Sequence, residues 1–277
     1  MEQQELVAAV QSRYRLIQEF GQYMNKQFLG GKLTQDHFHD DEVNYSHKRI
    51  RLESSDAMIF ESYLQELADV YAQTDEVFKD CGMELTSNDS CKPEPTWKMN
   101  RDTGYYVFTN KLALPFDFRQ TSELLWKLSQ ILHRQDDREL YDGVGDPENC
   151  IALKFRTTSC LESGEVVSVV HRAVGHRYDE GDRLVILWRS FSEGEGLFGG
   201  MHSDETGWCV VVPSTDPTQP GTRLQICIRN FPMHFSGAEK DEATVEQFTG
   251  WLCASGSEDI AEITSSLQSM LLEEEYL

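Results

Sequence analysis

The chain has 277 residues, with 25 Lys and Arg against 47 Asp and Glu, so its formal net charge is −22. Broad binding to nucleic acids or to anionic lipid surfaces is unfavourable for such a chain, because both require a basic surface. Aromatic residues make up 10% of the sequence, which argues against disorder over the whole chain. A compact chain of 277 residues is large enough for a core or an internal cavity.

The N-terminal region reads as a helix followed by a polar segment. Apolar residues recur every three or four positions over 3–29, which is typical of one amphipathic helix that ends at Gly30-Gly31. Residues 32–53 have no sustained period, so we expect a polar linker. We therefore divide the chain into residues 1–54, the N-terminal helix and linker, and residues 55–277, the main domain with its core at 96–275.

The next elements mix helix and strand. A second helix is expected over 55–81, followed by a loop over 84–97 that contains two prolines. A strand is expected over 105–114, where the period of the apolar residues changes to two. A short helix then follows at about 122–134, with Thr121 as its cap.

The second half of the chain is rich in strands and closes with a helix. Five strands are predicted at 150–158, 165–178, 183–191, 207–213 and 222–231. No helical pattern separates them, so the sheet should be antiparallel. The helix over 240–275 should kink or split at Ser255-Gly256-Ser257. This order predicts an α+β fold in which a curved antiparallel sheet wraps a long C-terminal helix and leaves a cavity between them.

Three segments carry a resemblance to a known group of domains. They are Arg177–Ser190 (RYDEGDRLVILWRS), Glu205–Pro213 (ETGWCVVVP) and Leu224–Arg229 (LQICIR). The pattern resembles the START-like, helix-grip domains common in oomycete proteins, including the mating-specific protein group. The resemblance covers about 96–275, with the helix at 55–81 as a lead-in. It implies a fold and a hydrophobic cavity but no named ligand, because Asp182–Val185 matches the strand start of lipid-transfer START domains only loosely.

Alternation along the predicted strands suggests which side chains line such a cavity. An indole offers apolar area and one hydrogen-bond donor, so Trp188 and Trp208 are candidates, although both could be plain core residues. His171 is also a candidate, because it shares a strand face with apolar residues. The alternative is a structural histidine at a solvent-exposed face or hydrogen bonded at the edge of the sheet. The predicted ligand-binding set is Trp188, Trp208, His171, Arg229, Ile186, Phe198, Phe248 and Leu252.

Arg229 has two alternative environments. An inward side chain would need an anionic partner, because an unpaired buried charge is costly. That partner could be Asp182, Glu205 or a ligand carboxylate or phosphate. The other interpretation is an outward Arg229 in a surface ion pair.

The segment 194–200 fits the pattern G-x-G-x-x-G but not a nucleotide site. A strand rather than a helix follows it, and Glu193 and Glu195 would repel a pyrophosphate. Two interpretations remain. One is a flexible hairpin loop, and the other is a lid over the mouth of the cavity, with Leu197, Phe198 and Met201 at its apolar tip.

Metal and catalytic patterns are weak. Asp36–Asp41 contains His37 and His39, which are metal-ligand types, but the segment lies in the polar linker, and we expect a solvated loop. No G-x-S-x-G or papain-like cysteine context occurs. We predict no catalytic residue, no metal and no cofactor.

The cysteines and the N-terminus indicate a compartment. Seven cysteines without a C-x-x-C pair suit free thiols in a reducing environment. The first residues show no secretory pattern, and no apolar stretch approaches the ~20 residues that span a bilayer. We expect a cytoplasmic protein, with the nucleus as an alternative.

The function expected from this pattern is non-catalytic binding of a lipid or other apolar small molecule. The sheet and the helix at 240–275 would enclose the ligand, and the loop at 194–200 would gate access. One alternative is a protein-interaction or regulatory module with a filled core, in which the helix at 3–29 docks a partner or a second copy. Another is an enzyme that uses His171 or His176 as a base.

Overall fold

The structure is a computed structural model that describes residues 54–83, 95–100, 103–130, 136–161, 163–218, 220–234 and 242–274. The expected helix at 3–29, the linker at 32–53 and the His37/His39 segment lie outside the described residues. The division of the chain near residue 54 therefore stays a prediction, as does docking or dimerisation through 3–29.

One curved sheet of eight antiparallel strands forms the centre of the described chain. Its spatial order is β1-β2-β8-β7-β6-β5-β4-β3. The strands are β1 (Thr96–Asn100), β2 (Thr103–Leu114), β3 (Asp136–Leu140), β4 (Cys150–Cys160), β5 (Val166–Asp179), β6 (Leu184–Glu195), β7 (Met201–Pro213) and β8 (Thr222–His234). Each strand from β4 to β7 pairs with the next one in sequence, as expected for hairpin connections.

Helices cover both faces of this sheet. The helices are α1 (Ser54–Ala72), α2 (Thr74–Asp80), α3 (Phe118–Gln130) and α4 (Glu242–Glu274). The first two pack on one face, called the α1 face, and the last two pack on the opposite face, called the α4 face. A long C-terminal helix held against a curved antiparallel sheet is the helix-grip arrangement, so the predicted α+β fold class is confirmed.

Alternation along the strands separates two cores. On the α1 face, Val185, Leu187 and Val210 pack under α1 and α2. On the α4 face, Ile186 and Val211 join α3 and the C-terminal half of α4. A further apolar cluster lies under the N-terminal half of α4 and includes Val167, Val169, Phe198, Met201, Phe248, Trp251 and Leu252. Both faces of the central strands are thus buried.

Two edge strands differ from the sequence expectation. Thr96–Asn100 lies partly in the expected loop, but it forms β1 because it pairs with β2 along its whole length. Asp136–Leu140 was not predicted as a strand, since its charged residues show no apolar alternation. It forms β3 by pairing with β4 at the other edge of the sheet, where charged side chains are well tolerated.

The short helix α3 starts earlier than predicted. Asp117 caps it, because its Oδ1 accepts hydrogen bonds from the backbone N–H groups of Arg119 at 2.8 Å and Gln120 at 3.1 Å. These are two of the unpaired donors at a helix start. Thr121, the expected cap, lies inside the helix and is fully buried.

The long helix α4 is unbroken through Ser255-Gly256-Ser257, where a kink or split was expected. A side chain at Gly256 would place its Cβ 3.2 Å from the ring of Phe108 on β2. The glycine therefore lets the helix pack closely on the sheet, and the surrounding contacts outweigh its low helix propensity.

Candidate functional site

The two candidate tryptophans lie on opposite faces of the sheet. In the register of β6 and β7, Trp188 is opposite Gly207 and Trp208 is opposite Leu187, so the two indoles point in opposite directions. Trp208 packs under α1 and donates its Nε1–H to the carbonyl of Val70 at 3.2 Å. Trp208 therefore lies outside the space between the sheet and α4, and its part in ligand binding stays a prediction.

Arg229 also lies on the α1 face. Its guanidinium carbon is 5.4 Å from the ring centroid of Trp208 and 6.0 Å from that of Tyr105. A cation over aromatic faces is a stable arrangement for arginine. Neither the expected surface ion pair nor an ion pair with Glu205 is formed within the described part of the chain, and Glu205 occupies the opposite face.

The other six predicted residues are on the α4 face, in two groups. Ile186 and Trp188 lie near the middle of the sheet, in the core that α3 and α4 cover. His171 lies under the N-terminal half of α4, with its ring centroid 6.2 Å from that of Trp251. Phe198, Phe248 and Leu252 belong to the apolar cluster beside it.

The segment expected as a loop or lid is an anchored turn. Gly194 and Glu195 belong to β6, and Gly196–Phe198 forms one turn of 3-10 helix. The side chains of Phe198 and Met201 are fully buried, and the rings of Phe198 and Phe248 meet edge to face with centroids 5.2 Å apart. The apolar residues expected at the tip of a lid are therefore buried in the core, and gating by this turn stays a prediction.

A row of polar side chains crosses the α4 face between these groups. Ser190 on β6, Glu205 on β7 and Asn230 on β8 are directly opposite one another in the strand register. Two residues further along β6, on the same face, Ser192 is opposite both His171 on β5 and Ser203 on β7. We call the six residues His171, Ser190, Ser192, Ser203, Glu205 and Asn230 the polar row.

Glu205 is the central acceptor of this row. Its Oε1 accepts a hydrogen bond from Trp188 Nε1 at 2.8 Å, and its Oε2 accepts one from Asn230 Nδ2 at 3.3 Å. Asn230 Oδ1 in turn accepts from the Ser203 hydroxyl at 2.6 Å. Burial raises the pKa of Glu205, and the negative charge of Asp259 on α4 adds to this, against the lowering effect of the two donors.

His171 forms the other end of the row. Its Nδ1 is hydrogen bonded to the Ser192 hydroxyl at 2.8 Å, and its ring stacks on Phe155 with centroids 4.6 Å apart. Its Nε2 is buried and has no hydrogen-bond partner in the described part of the chain. Burial lowers the pKa of His171 to about 4, so the imidazole is neutral near pH 7.

The polar row lies on the face of the sheet that α4 covers, between the two apolar groups. The interior of the grip is thus apolar at both ends of α4 and polar between them. This arrangement suits a molecule with an apolar body and a polar group.

One concavity of the structure lies away from the polar row. An open groove of about 460 Å³ is lined by Pro115–Arg119, Pro213, Pro220 and Gly221. It lies at the opposite end of β8 from Asn230, about 27 Å away along the strand at ~3.4 Å per residue. The groove is separate from the polar row and contains none of the predicted ligand-binding residues.

Most of the polar row and Trp251 were not predicted from the sequence. Expecting strands at 183–191 and 207–213 left Ser192, Ser203 and Glu205 outside any strand. The signal that could have found them is the alternation of Met201, Ser203, Glu205, Gly207, Cys209 and Val211, which continues the buried face of β7. Extending β6 and β7 as paired strands up to the turn that joins them would have placed these residues opposite one another.

The geometry does not favour a histidine base. His171 has a hydroxyl as its partner rather than the carboxylate that would orient a general base. His176 is paired with Leu187 in the register of β5 and β6 and points to the α1 face. Within the described ranges, no three metal-ligating side chains come together. None of the described helices combines the length and apolar character needed to cross a bilayer.

The strand order, the gripped C-terminal helix and the helices on the second face define the chain as a START-like, helix-grip fold. No family model matches the chain, and no curated protein is similar to it. The likenesses found are to solved structures, and they are of fold alone.

Three of these solved structures illustrate the likeness. A conserved protein from Geobacillus kaustophilus is 13% identical, with a TM-score of 0.38 over 61% of this chain and 95% of that one. Ara h 8.0201 is 14% identical, with a TM-score of 0.32 over 61% and 99%. The di-domain ARO/CYC StfQ from the steffimycin biosynthetic pathway is 13% identical, with a TM-score of 0.38 over 64% and 54%. The matched part therefore spans about half the length of StfQ.

Proposed function

We propose that this chain is a non-catalytic binding protein for an apolar small molecule or lipid that carries a polar group. The ligand would lie on the α4 face, between the central strands and α4. The observation that carries the proposal is the polar row, which lies between two apolar clusters on the face of the sheet that α4 covers.

The hydrogen-bonding capacity of the row supports this proposal. Polar groups inside an apolar interior are costly unless they are hydrogen bonded. A carboxylate can accept about four hydrogen bonds, and Glu205 accepts two from protein side chains. His171 Nε2 is enclosed and unpaired within the described part of the chain. A hydroxyl or amine on the ligand would satisfy these groups while its body packs on Ile186 and Trp188.

The resemblance in the sequence extends this proposal. The segments at 177–190, 205–213 and 224–229 place the chain, as a proposal, with the oomycete-type START-like domains and the mating-specific group. We also propose a cytoplasmic location, which suits the free thiols of the described cysteines.

Native mass spectrometry of the purified chain, followed by solvent extraction, tests the proposal. A reproducible adduct of a few hundred daltons that extraction releases is the expected result, and its mass would identify the ligand class. Bare protein mass, together with no uptake of the neutral apolar dye Nile red, would overturn the proposal.

Matched variants locate the binding site. Ala173→Leu adds volume on the α4 face opposite Ser190 and should weaken Nile red binding at least tenfold. Ala113→Leu makes the same change at an exposed position of β2 and should leave binding unchanged. Trp188→Phe should reduce the quenching of tryptophan emission by the dye more than Trp208→Phe on the opposite face does.

A second candidate function is an interaction module with a filled core. The observation that favours it is an exposed apolar pair on the edge strand β1, where Trp97 is 50% exposed and Met99 is 62% exposed. Exposed apolar residues at a sheet edge are typical of protein contacts. Size-exclusion chromatography with light scattering tests this second function. Trp97→Ser should dissociate any complex that this edge forms and so lower its measured mass.

A further inference from the structure

Two free cysteines meet on the α1 face of the sheet. Cys81 follows the last residue of α2, and Cys227 lies in the middle of β8, 146 positions further along the chain. Their sulfur atoms are 3.5 Å apart. A disulfide bond is about 2.05 Å long, so the two sulfurs need to approach by only ~1.5 Å to form one.

The surroundings give the two thiols different roles. The hydrogen bond from the Cys227 thiol lowers the pKa of Cys81 to about 6, and the charges of Lys98 on β1 and Arg229 on β8 act in the same direction. Burial and the charge of Asp80 on α2 oppose them. Cys227 itself is fully buried, and its pKa is raised because Cys81 carries the charge. Cys81 is therefore the more acidic and the more accessible thiol of the pair.

The other described cysteines lack these features. Burial raises the pKa of Cys209 to about 12 and that of Cys150 to about 11. Buried thiols of this kind pack as small apolar side chains. Cys81 differs because it is half-buried, lies near two cations and has a second thiol in contact, which is the environment of a reactive cysteine.

We propose that Cys81 and Cys227 form a peroxide-sensitive thiol pair that closes to a disulfide. The Cys81 thiolate attacks one oxygen of a hydroperoxide and breaks the O–O bond, which gives Cys81 sulfenic acid and releases hydroxide or the corresponding alkoxide. The Cys227 sulfur then displaces the sulfenic hydroxyl, which leaves as water after taking up the Cys227 proton. Overall, two thiols lose two electrons and two protons to the peroxide.

The disulfide would covalently link the end of α2 to β8 in the centre of the sheet. It would form on the face opposite the polar row, so it does not depend on ligand binding there. Its direct structural effect is to hold the helical layer of α1 and α2 onto β8.

Peptide mapping of the full chain after stoichiometric hydrogen peroxide tests the pair. The expected product is a Cys81–Cys227 cross-linked peptide that dithiothreitol reverses. Cys227→Ser removes the resolving thiol, so Cys81 sulfenic acid should accumulate and react with dimedone. Cys81→Ser should give no cross-link, and Cys209→Ser, a buried thiol on the α4 face, should behave as the unmodified chain does.

The pH dependence of the reaction provides a second readout. Because the pKa of Cys81 is lowered, its thiolate fraction should fall much less between pH 8 and pH 6.5 than that of an ordinary thiol of pKa about 8.5, which falls about 24-fold. The rate of Cys81 alkylation in the folded chain should therefore be nearly flat over this range, with glutathione as the reference thiol.

Three outcomes would overturn the proposal. One is the exposed Cys160 oxidising first while Cys81 and Cys227 stay reduced. Another is Cys81 passing to sulfinic acid without a cross-link in the chain that retains Cys227. The third is alkylation of Cys81 that follows the pH profile of glutathione.

Discussion

Trp188 and Trp208 sit on adjacent strands, one position out of register, and anchor opposite layers of the molecule. Trp188 is opposite Gly207, and its indole donates a hydrogen bond to Glu205 in the polar row. Trp208 is opposite Leu187, and its indole donates to the carbonyl of Val70 on α1. One indole therefore shapes the interior that α4 covers, and the other fixes the helical layer on the second face.

The position of Trp188 depends on Gly207. A Cβ at residue 207 would lie 2.0 Å from two atoms of the Trp188 ring, so Gly207→Ala must displace the indole from Glu205. We expect a loss of about 1–3 kcal/mol in the free energy of unfolding, which is typical of overpacking. Urea denaturation followed by circular dichroism measures it.

Gly104→Ala is the matched control for this substitution. Its Cβ would lie 1.9 Å from the Trp97 ring, but Trp97 is on an edge strand and half exposed, so it can move into solvent. The loss should be clearly smaller than at Gly207. Equal losses at the two glycines would show that the Trp188–Glu205 arrangement is not held by packing.

Asp56 joins α1 to the sheet. Its carboxylate is 2% exposed and accepts hydrogen bonds from Lys154 at 2.9 Å and from Arg172 at 2.6 Å. Asp56→Ala leaves two half-buried cations without this partner, and we expect it to cost about 3 kcal/mol in the free energy of unfolding. Glu61→Ala, an exposed position of the same helix, should change it by no more than about 0.5 kcal/mol.

The pH dependence of stability checks the same contact. Burial would raise the pKa of Asp56, but the hydrogen bonds from Lys154 and Arg172 outweigh it, and the pKa is lowered overall. The stabilisation is therefore present above the unfolded-state pKa of about 3.9 and is lost as the pH falls through the folded-state value. The difference between the unmodified chain and Asp56→Ala should shrink with acidification below pH 4, and a constant difference would contradict this.

His171 should make the fold sensitive to mild acid. Its pKa is lowered to about 4 by burial, from 6.5 in the unfolded chain, so the folded state favours the neutral ring. The free energy of unfolding is therefore unaffected by this group above pH 6.5. It decreases progressively as the pH falls towards 4, by at most ~3 kcal/mol at 1.36 kcal/mol per pKa unit.

NMR titration of the His171 Cε1–H resonance measures this directly, and a midpoint near 6.5 would contradict the buried, neutral ring. Urea unfolding at pH 7 and pH 4.5 gives the energetic readout. His171→Gln removes the titrating group and should lose less stability between these two pH values than the unmodified chain does.

The sequence alone predicts the α+β class and most of the strands, because the alternation in β5–β8 is strong and the hairpins between them are short. It cannot predict which face each strand presents, since that depends on register. A one-residue offset between Trp188 and Trp208 is enough to separate two residues that look equivalent in their strands. β3 is missed for another reason: its pairing with β4 stabilises a charged segment with low strand propensity.

The candidate site was predicted in its apolar part and at His171. Ile186 and Trp188 follow from alternation along a strand and Phe248 from helical spacing, whereas Phe198 was expected at the tip of a loop. Ser203 and Glu205 look like loop residues in sequence, because polar residues on a buried face of a strand are rare. Their burial follows from the tertiary position of the β6–β7 hairpin under α4.

Glu205 offers the sharpest test of the polar row. Burial raises its pKa above the unfolded-state value of about 4.3, so the folded state disfavours the carboxylate. The contribution of Glu205 to the stability of the unmodified chain should therefore decrease as the pH rises from 4 through the folded-state pKa, and it should then level off.

Glu205→Gln removes this titration and keeps an oxygen that can accept from Trp188 Nε1. The variant should gain stability relative to the unmodified chain as the pH rises from 4 to 7.5, measured as the shift in the urea midpoint. Glu246→Gln on the exposed side of α4 controls for the lost negative charge and should show no comparable trend. A ligand that donates a hydrogen bond to Glu205 offsets the cost of its buried charge, so the advantage of Glu205→Gln should disappear in ligand-loaded protein. A gain that persists with ligand would place the polar group of the ligand elsewhere in the row.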